Sequence, residues 1–255
     1  MCTLIALHRH VSNSPLLIAA NRDEYLDRPA EGPALREAPR ARDQGTGGAI
    51  LAPLDLRAGG TWLGINASGV FAAVTNRRTD APDPALRSRG MLVMDVLSTP
   101  TAEEAAGRIE RLPADAYNPF NLFIADDDSA HLLTYGRSPE RVDLAPGAHV
   151  IGNVHPMEES PKVARIRQEL LEVAADSAGG ALDRMAAICR SHEGGDPLEA
   201  TCVHAGGIGT GYGTRSSTLL RTGASPELRY ANGAPCTHSY DDFTPSLRTL
   251  LQARA

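Results

Sequence analysis

The sequence predicts an α+β fold with antiparallel strands, and three observations carry that prediction. Paired apolar runs joined by turn residues open the chain, capped segments with helical periodicity occupy its middle, and strand-like runs return from Thr214 onward. Thr3 to Leu7 and Leu16 to Ala20 flank Ser12-Asn13-Ser14-Pro15 and read as two antiparallel strands. Their apolar residues run continuously, the pattern of strands covered on both faces. The second run ends in Asn21-Arg22-Asp23-Glu24. Alternate residues share a strand face, so Asn21 and Asp23 point one way and Arg22 and Glu24 the other.

Arg28 to Gln44 is rich in proline and arginine without periodicity and is expected to be a surface loop. Gly48 to Leu51, Thr61 to Asn66 and Val70 to Asn76 then read as a meander, with Gly59-Gly60 and Ala67-Ser68-Gly69 as turns. Trp62, the only tryptophan, is either a core residue or a pocket wall that touches substrate. Met91 to Leu97 predicts a helix. The capping box Thr101-x-x-Glu104 opens another, with Ala105, Ile109 and Leu112 at helical spacing. Asn121 to Ala125 and His131 to Tyr135 flank Asp126-Asp127-Asp128-Ser129, a solvated hairpin tip that lacks the spacing of a calcium loop. Val150 to Asn153 is a short strand. Ser160-Pro161 starts a helix whose buried stripe is Val163, Ile166, Leu170 and Val173, and a further helix sets Leu182, Met185 and Cys189 on one face. The glycine-rich run Gly206 to Gly213 lacks the lysine of a phosphate loop and reads as a turn feeding the strand Thr214 to Thr222, with Leu228 to Ala231 completing a hairpin. The tail 241–255 carries Leu247, Leu250 and Leu251 at helical spacing. No linker interrupts the sequence, so residues 1–255 are expected to form a single domain.

The charge balance of 25 basic and 31 acidic residues, net -6, offers no footprint for nucleic acid or an acidic membrane and points to small-molecule partners. The first residues lack the pattern of a secretory signal and no run is long enough to span a membrane, so a cytoplasmic location is expected. The four cysteines, Cys2, Cys189, Cys202 and Cys236, show no C-x-x-C spacing, and His192-Glu193 lacks a second histidine. Neither a metal site nor a disulfide framework is therefore expected, and the thiols are taken as reduced.

Cys2 is the residue with the clearest chemistry. If Met1 is removed, one carbon carries both a thiol, which titrates at about 8.5, and an α-amine, which titrates at about 7.7 to 8.0. Such an amine is partly unprotonated near neutrality and can accept the thiol proton without a histidine. Buried runs also end in polar residues at Asn21 to Glu24, at Asn76 and at Asn153, and strand ends that turn polar are where sites are built.

Cys2, Ala20-Asn21-Arg22-Asp23-Glu24, Gly59-Gly60-Thr61-Trp62-Leu63-Gly64-Ile65 and Gly211-Tyr212-Gly213-Thr214-Arg215 together closely resemble the NRDE family, the transport-and-Golgi-organisation proteins. The resemblance runs from Met1 to about Tyr230. That family looks like the N-terminal-nucleophile hydrolases, so the resemblance implies a four-layer αββα sandwich of two antiparallel sheets. Within those enzymes the choloylglycine hydrolase and penicillin V acylase group is nearest in pattern. It implies Cys2 as nucleophile, Asp23 beside the cysteine amine, Asn76 as the oxyanion-hole asparagine reached through Gly64-Ile65-Asn66-Ala67-Ser68-Gly69, Asn153 as a further asparagine, and Arg215 as a late arginine. Arg22, Asn21 and Trp62 are the expected substrate contacts. One departure stands out: the acylases carry an arginine where this chain has Ala20, which leaves the thiol without that cation. The implied activity is an amidohydrolase for non-peptide carbon–nitrogen bonds that needs no cofactor. The alternative implied by the eukaryotic relatives is a haem- or lipid-trafficking factor, with His8, His155 and His204 as haem candidates.

Overall fold

The structure, a computed structural model, describes residues 2–38, 48–79, 81–158, 160–171, 177–206 and 211–252. In chain order its elements are β1 (Thr3–Val11), β2 (Ser14–Tyr25), β3 (Ala30–Glu37), β4 (Ala49–Asp55), β5 (Leu63–Asn66), β6 (Phe71–Asn76), α1 (Arg89–Val96), α2 (Ala102–Glu110), β7 (Phe120–Ala125), β8 (Ala130–Tyr135), β9 (Pro139–Asp143) and β10 (Gly147–Ile151). They continue as α3 (Pro161–Leu170), α4 (Ala178–Arg190), β11 (His204–Ala205), β12 (Tyr212–Arg221), β13 (Glu227–Ala231), β14 (Asp241–Asp242) and α5 (Thr244–Gln252). The chain divides into two compact units, residues 1–29 with 146–244 and residues 30–145 with 245–255.

The first unit is an antiparallel sheet in the order β10-β1-β2-β12-β13-β14, with β11 added to β12. Its odd-numbered strand residues Ile5, Leu7, Leu17 and Ala19 meet Ile166 and Leu170 of α3 and Leu182, Met185 and Cys189 of α4. Leu4, Ala6, Leu16 and Ile18, which alternate with them, are buried as well, so along these apolar runs both faces of β1 and β2 are covered, which explains their continuity. Ser160 and Ser177 accept the first free N–H groups of α3 and α4, and Pro161 sits at the first helical position. Val173 of the expected α3 stripe lies outside the described residues.

The second unit is a meander, β3-β4-β5-β6-β7-β8-β9, with α1 and α2 against it. Trp62 packs partly buried against this core. Gly60 and Gly64 are packing requirements: a Cβ on Gly60 would lie 2.3 Å from the backbone carbon of Gly90, and one on Gly64 would lie 2.8 Å from Leu97 Cδ1. Asn66 makes the following turn. Its amide nitrogen donates to the carbonyls of Leu97 and Thr99 at 3.0 and 2.7 Å, and its oxygen accepts from Val70 N–H at 2.9 Å. Gly69 closes that turn at φ 86°.

Two expectations need correction. Much of the expected loop from Arg28 to Gln44 is strand β3, which pairs with β4 around a register shift between Glu31 and Ala34. Edge strands accept proline and charge, so Pro33 and the arginines do not argue against one; residues 39–47 lie outside the described residues. Asp126 is also more than a solvated tip. One carboxylate oxygen accepts from the N–H groups of Asp128 and Ser129 and the other from Ala102 N–H at 2.7 Å, so the hairpin caps the start of α2 together with Thr101.

Asn66→Ala should destabilise the protein by about 2 to 4 kcal/mol, since it strands two buried carbonyls and one N–H. Urea unfolding measures this, and a change below about 0.5 kcal/mol would contradict the assigned role.

Candidate active site

Strand pairing builds the site around Cys2. Leu4 pairs with Ile151 and Thr3 with Asn21, so the register carried outward by two residues and by one sets Cys2 across from Asn153 on one side and Arg22 on the other. The contact is direct on the first side: Cys2 N–H donates to Asn153 Oδ1 at 2.6 Å. On the second side the Cys2 thiol lies 3.9 Å from the Asp23 carbonyl oxygen, a weak donor contact. Burial pushes the Cys2 thiol above its ordinary value, the Asp23 charge adds to that, and Arg22 opposes it.

Asp23 is buried at the end of β2, where β12 shifts register between Thr214 and Ser216. Thr214 Oγ1 donates to its carboxylate at 2.7 Å and itself accepts from Val203 N–H at 2.8 Å. Tyr212 Oη donates to the Asp23 carbonyl at 3.0 Å. Burial raises the carboxyl to about 6, against the pull of the amino-terminal charge, then of Lys162 and of the Thr214 hydrogen bond. The expected alternation holds beyond this point: buried Arg22 lies 3.9 Å from Glu24 on the shared face, and Glu24 also meets Arg28 at 3.6 Å.

Lys162 is the residue that sequence reading missed. It is the only lysine of the chain, lies in the first turn of α3 and is 4% exposed. Its Nζ has no hydrogen-bond partner among the described residues. A cation at a helix N-terminus opposes the helix dipole, and burial pulls its pKa down while Asp23, Glu199 and Cys2 pull it up. Its electrostatic partners are thus the carboxylate and the thiol of the site. The signal was available in the sequence as a lone lysine one position before the apolar stripe of a helix that follows Asn153.

The other expected site residues divide. Asn21 is 2% exposed and its amide nitrogen donates to the carbonyls of Cys189 and Thr201, both at 2.9 Å. These two bonds tie β2 to the end of α4 and the following loop, and they use only the amide nitrogen of the side chain expected to contact substrate. Arg215 donates to Asn232 Oδ1 at 2.9 Å and lines, with Thr214, Tyr212 and His204, a cavity of about 410 Å³. Asn76 ends β6 in the second unit, paired in register with Phe120 and exposed. Of the haem candidates, His8 is buried within β1 and the His155 ring accepts from Met157 N–H at 3.2 Å. His204 stands beside His192, Cys202 and Cys236, four potential metal ligands whose donor atoms lie within 4.8 Å of one another. The expectation of no metal site rested on spacing along the chain, and these four come from three separate segments.

Solved structures share this fold across nearly the whole chain. The Caenorhabditis elegans ortholog of N-acylethanolamine-hydrolyzing acid amidase superposes with a TM-score of 0.58 at 13% identity, covering 98% of this chain and 97% of that one. Penicillin V acylase from Agrobacterium tumefaciens gives 0.57 at 14% identity over 96% and 98%. The C2A mutant of conjugated bile acid hydrolase from Clostridium perfringens gives 0.54 at 13% identity over 96% and 93%. The fold is therefore that of the N-terminal-nucleophile hydrolases. Among curated sequences, the human Transport and Golgi organization protein 2 homolog is 29% identical over 247 residues and the Bos taurus homolog 30% identical over 250, each covering 84% of both chains. The family described as Transport and Golgi organisation 2 matches residues 1–232, and the chain belongs to that family.

Proposed function

We propose that the protein is an N-terminal cysteine amidohydrolase acting on non-peptide carbon–nitrogen bonds. The observation that carries this reading is the 2.6 Å bond from the Cys2 nitrogen to Asn153 Oδ1, because removal of Met1 turns that nitrogen into the amine that serves as base. The thiol then gives its proton to its own amine and attacks the acyl carbon. The carbon–nitrogen bond breaks, the leaving amine takes that proton, and water splits the thioester to the acid, regenerating the thiol. Asn153 orients the base, and Asp23 supplies the negative charge that stabilises the amine in its protonated form. The oxyanion role is given to Asn76 on the motif that precedes it, and Arg215, which lines the cavity beside Thr214, is given the role of fixing the amine and thiol together with Asp23. Where the acylases carry a cation at the position of Ala20, the cations in reach here are Arg22, which favours the thiolate of Cys2, and Lys162 of α3, which the Asp23 carboxylate favours in its charged form.

The family's name refers to transport and Golgi organisation, and the alternative of a haem or lipid carrier that reuses the fold remains the competing outcome of each test below. An amidohydrolase predicts chemistry at Cys2, and a carrier predicts none.

Intact-mass spectrometry should find Met1 absent. In that material, iodoacetamide near neutral pH should alkylate Cys2 at least about tenfold faster than in a variant whose N-terminus is extended and blocked, since only the free amine can deprotonate the thiol. Cys189, which burial pushes up to about 12, should label last. Equal Cys2 rates in the two proteins would remove the amine from the mechanism.

The second test is pH dependence. With Asp23 required in its ionised form, kcat/KM should rise through an acid limb near pH 6. Lys162→Met keeps the packing but deletes the charge that lowers the Asp23 pKa, so the limb should move to higher pH. A purely structural lysine would change the amplitude of the profile and leave the limb in place.

A further inference from the structure

Outside the proposed nucleophile site, the densest collection of chemically able side chains in the first unit is His192, Cys202, His204 and Cys236. Cys202 Sγ lies 3.5 Å from Cys236 Sγ and 3.6 Å from His204 Nε2, and His204 Nε2 lies 3.1 Å from Cys236 Sγ. The rings of His192 and His204 meet edge to face at 5.1 Å. A tetrahedral zinc ion with bonds of about 2.3 Å to sulfur and about 2.0 to 2.1 Å to nitrogen has edges between its ligands of roughly 3.3 to 3.8 Å. Three ligand–ligand distances are within a few tenths of an ångström of those edges before any ion draws the groups together. Two thiolates and two imidazoles are also a ligand set that selects zinc over harder divalent ions.

The backbone explains why these four converge. His192 follows the end of α4, whose capping residue Ser191 accepts from Cys202 N–H at 2.8 Å through its carbonyl. Cys202 and His204 are two apart on an extended segment, so they share one face while Val203 between them is fully buried on the other. Cys236 lies in the turn after β13, where the Ala234 carbonyl accepts from the N–H groups of Thr237 and His238. His192 and His204 are exposed, which gives an ion a route in.

From this geometry we propose that His192, Cys202, His204 and Cys236 form a Cys2His2 zinc site that cross-links the end of α4, the strand entering β11 and the turn after β13. Binding releases the two thiol protons to solvent. The ion sits beside the proposed active site without entering it: Val203, held between two ligands, donates its N–H to Thr214, and Thr214 donates to Asp23. Zinc therefore fixes the wall from which the Asp23 hydrogen bond is made, and its role is structural.

The test is cobalt titration of the full-length, reduced protein after chelation. One equivalent of cobalt should give the absorption of a tetrahedral site with thiolate-to-cobalt charge transfer, and one equivalent of zinc should displace it. His192→Ala, a change at an exposed position, and Cys236→Ser should each weaken zinc binding by more than about 100-fold, beyond the 10- to 100-fold that loss of an outer-shell partner costs. Cys2→Ser should retain the full spectrum. Only octahedral cobalt, binding that does not saturate at one equivalent, loss of the spectrum in Cys2→Ser, or a Cys202–Cys236 disulfide in anaerobically prepared protein would each overturn the assignment.

Discussion

The antiparallel pairing of β1 with both β2 and β10 is the constraint on which the first unit depends. It places the beginning of the chain between two strand ends that turn polar, and it does so by register, with Leu4 opposite Ile151 and Thr3 opposite Asn21. Main-chain hydrogen bonds and the burial of both faces hold that register, since a slip of one residue would turn every buried side chain to the opposite face. Cys2 consequently has a fixed position beside Asn153 although it is the first of the described residues.

Electrostatics gives that position its chemical character. Asp23, Lys162 and Arg22 are all buried, and of these the Arg22 charge favours the Cys2 thiolate while burial and the Asp23 charge oppose it. Asp23 illustrates the cost. Its folded pKa of about 6 stands above the ordinary 3.8, so its contribution to stability is fully present below pH 3.8 and is lost as the pH rises through 6. At neutral pH the fold carries an ionised carboxylate that a hydrophobic residue would replace at lower cost. Such groups are retained where their charge is used, and β12 holds this one by a hydrogen bond from Thr214 to the carboxylate and one from Tyr212 to the Asp23 main-chain carbonyl.

Much of this was readable from the sequence. The continuous apolar runs located β1 and β2, the Ser and Thr caps located the helices, and the polar residues that close buried strands led to Asp23, Asn76 and Asn153. Other features were not readable because they arise from tertiary pairing. β3 has the composition of a loop and becomes a strand because β4 offers a partner. Asn21 and Asp23 share a strand face and look alike in sequence, yet α4 and its following loop claim the amide of the first, while Thr214 binds the carboxylate of the second. Lys162 was visible as a count and not as a neighbour of Asp23. The Cys and His ligands are spread over 45 positions of sequence, from His192 to Cys236, and no local spacing rule joins them.

The account rests on one chemical event, acyl transfer to Cys2. Acid-quenched mass spectrometry of protein shown to lack Met1, after brief exposure to a panel of N-acyl amides, tests it most directly. The account predicts that the peptide beginning at Cys2 gains the mass of the acyl group in a hydroxylamine-labile thioester, and that the same peptide stays unmodified when the N-terminus is extended and blocked. Processed protein that yields neither the adduct nor any turnover across the panel would contradict it, and would leave the fold with a carrier's role.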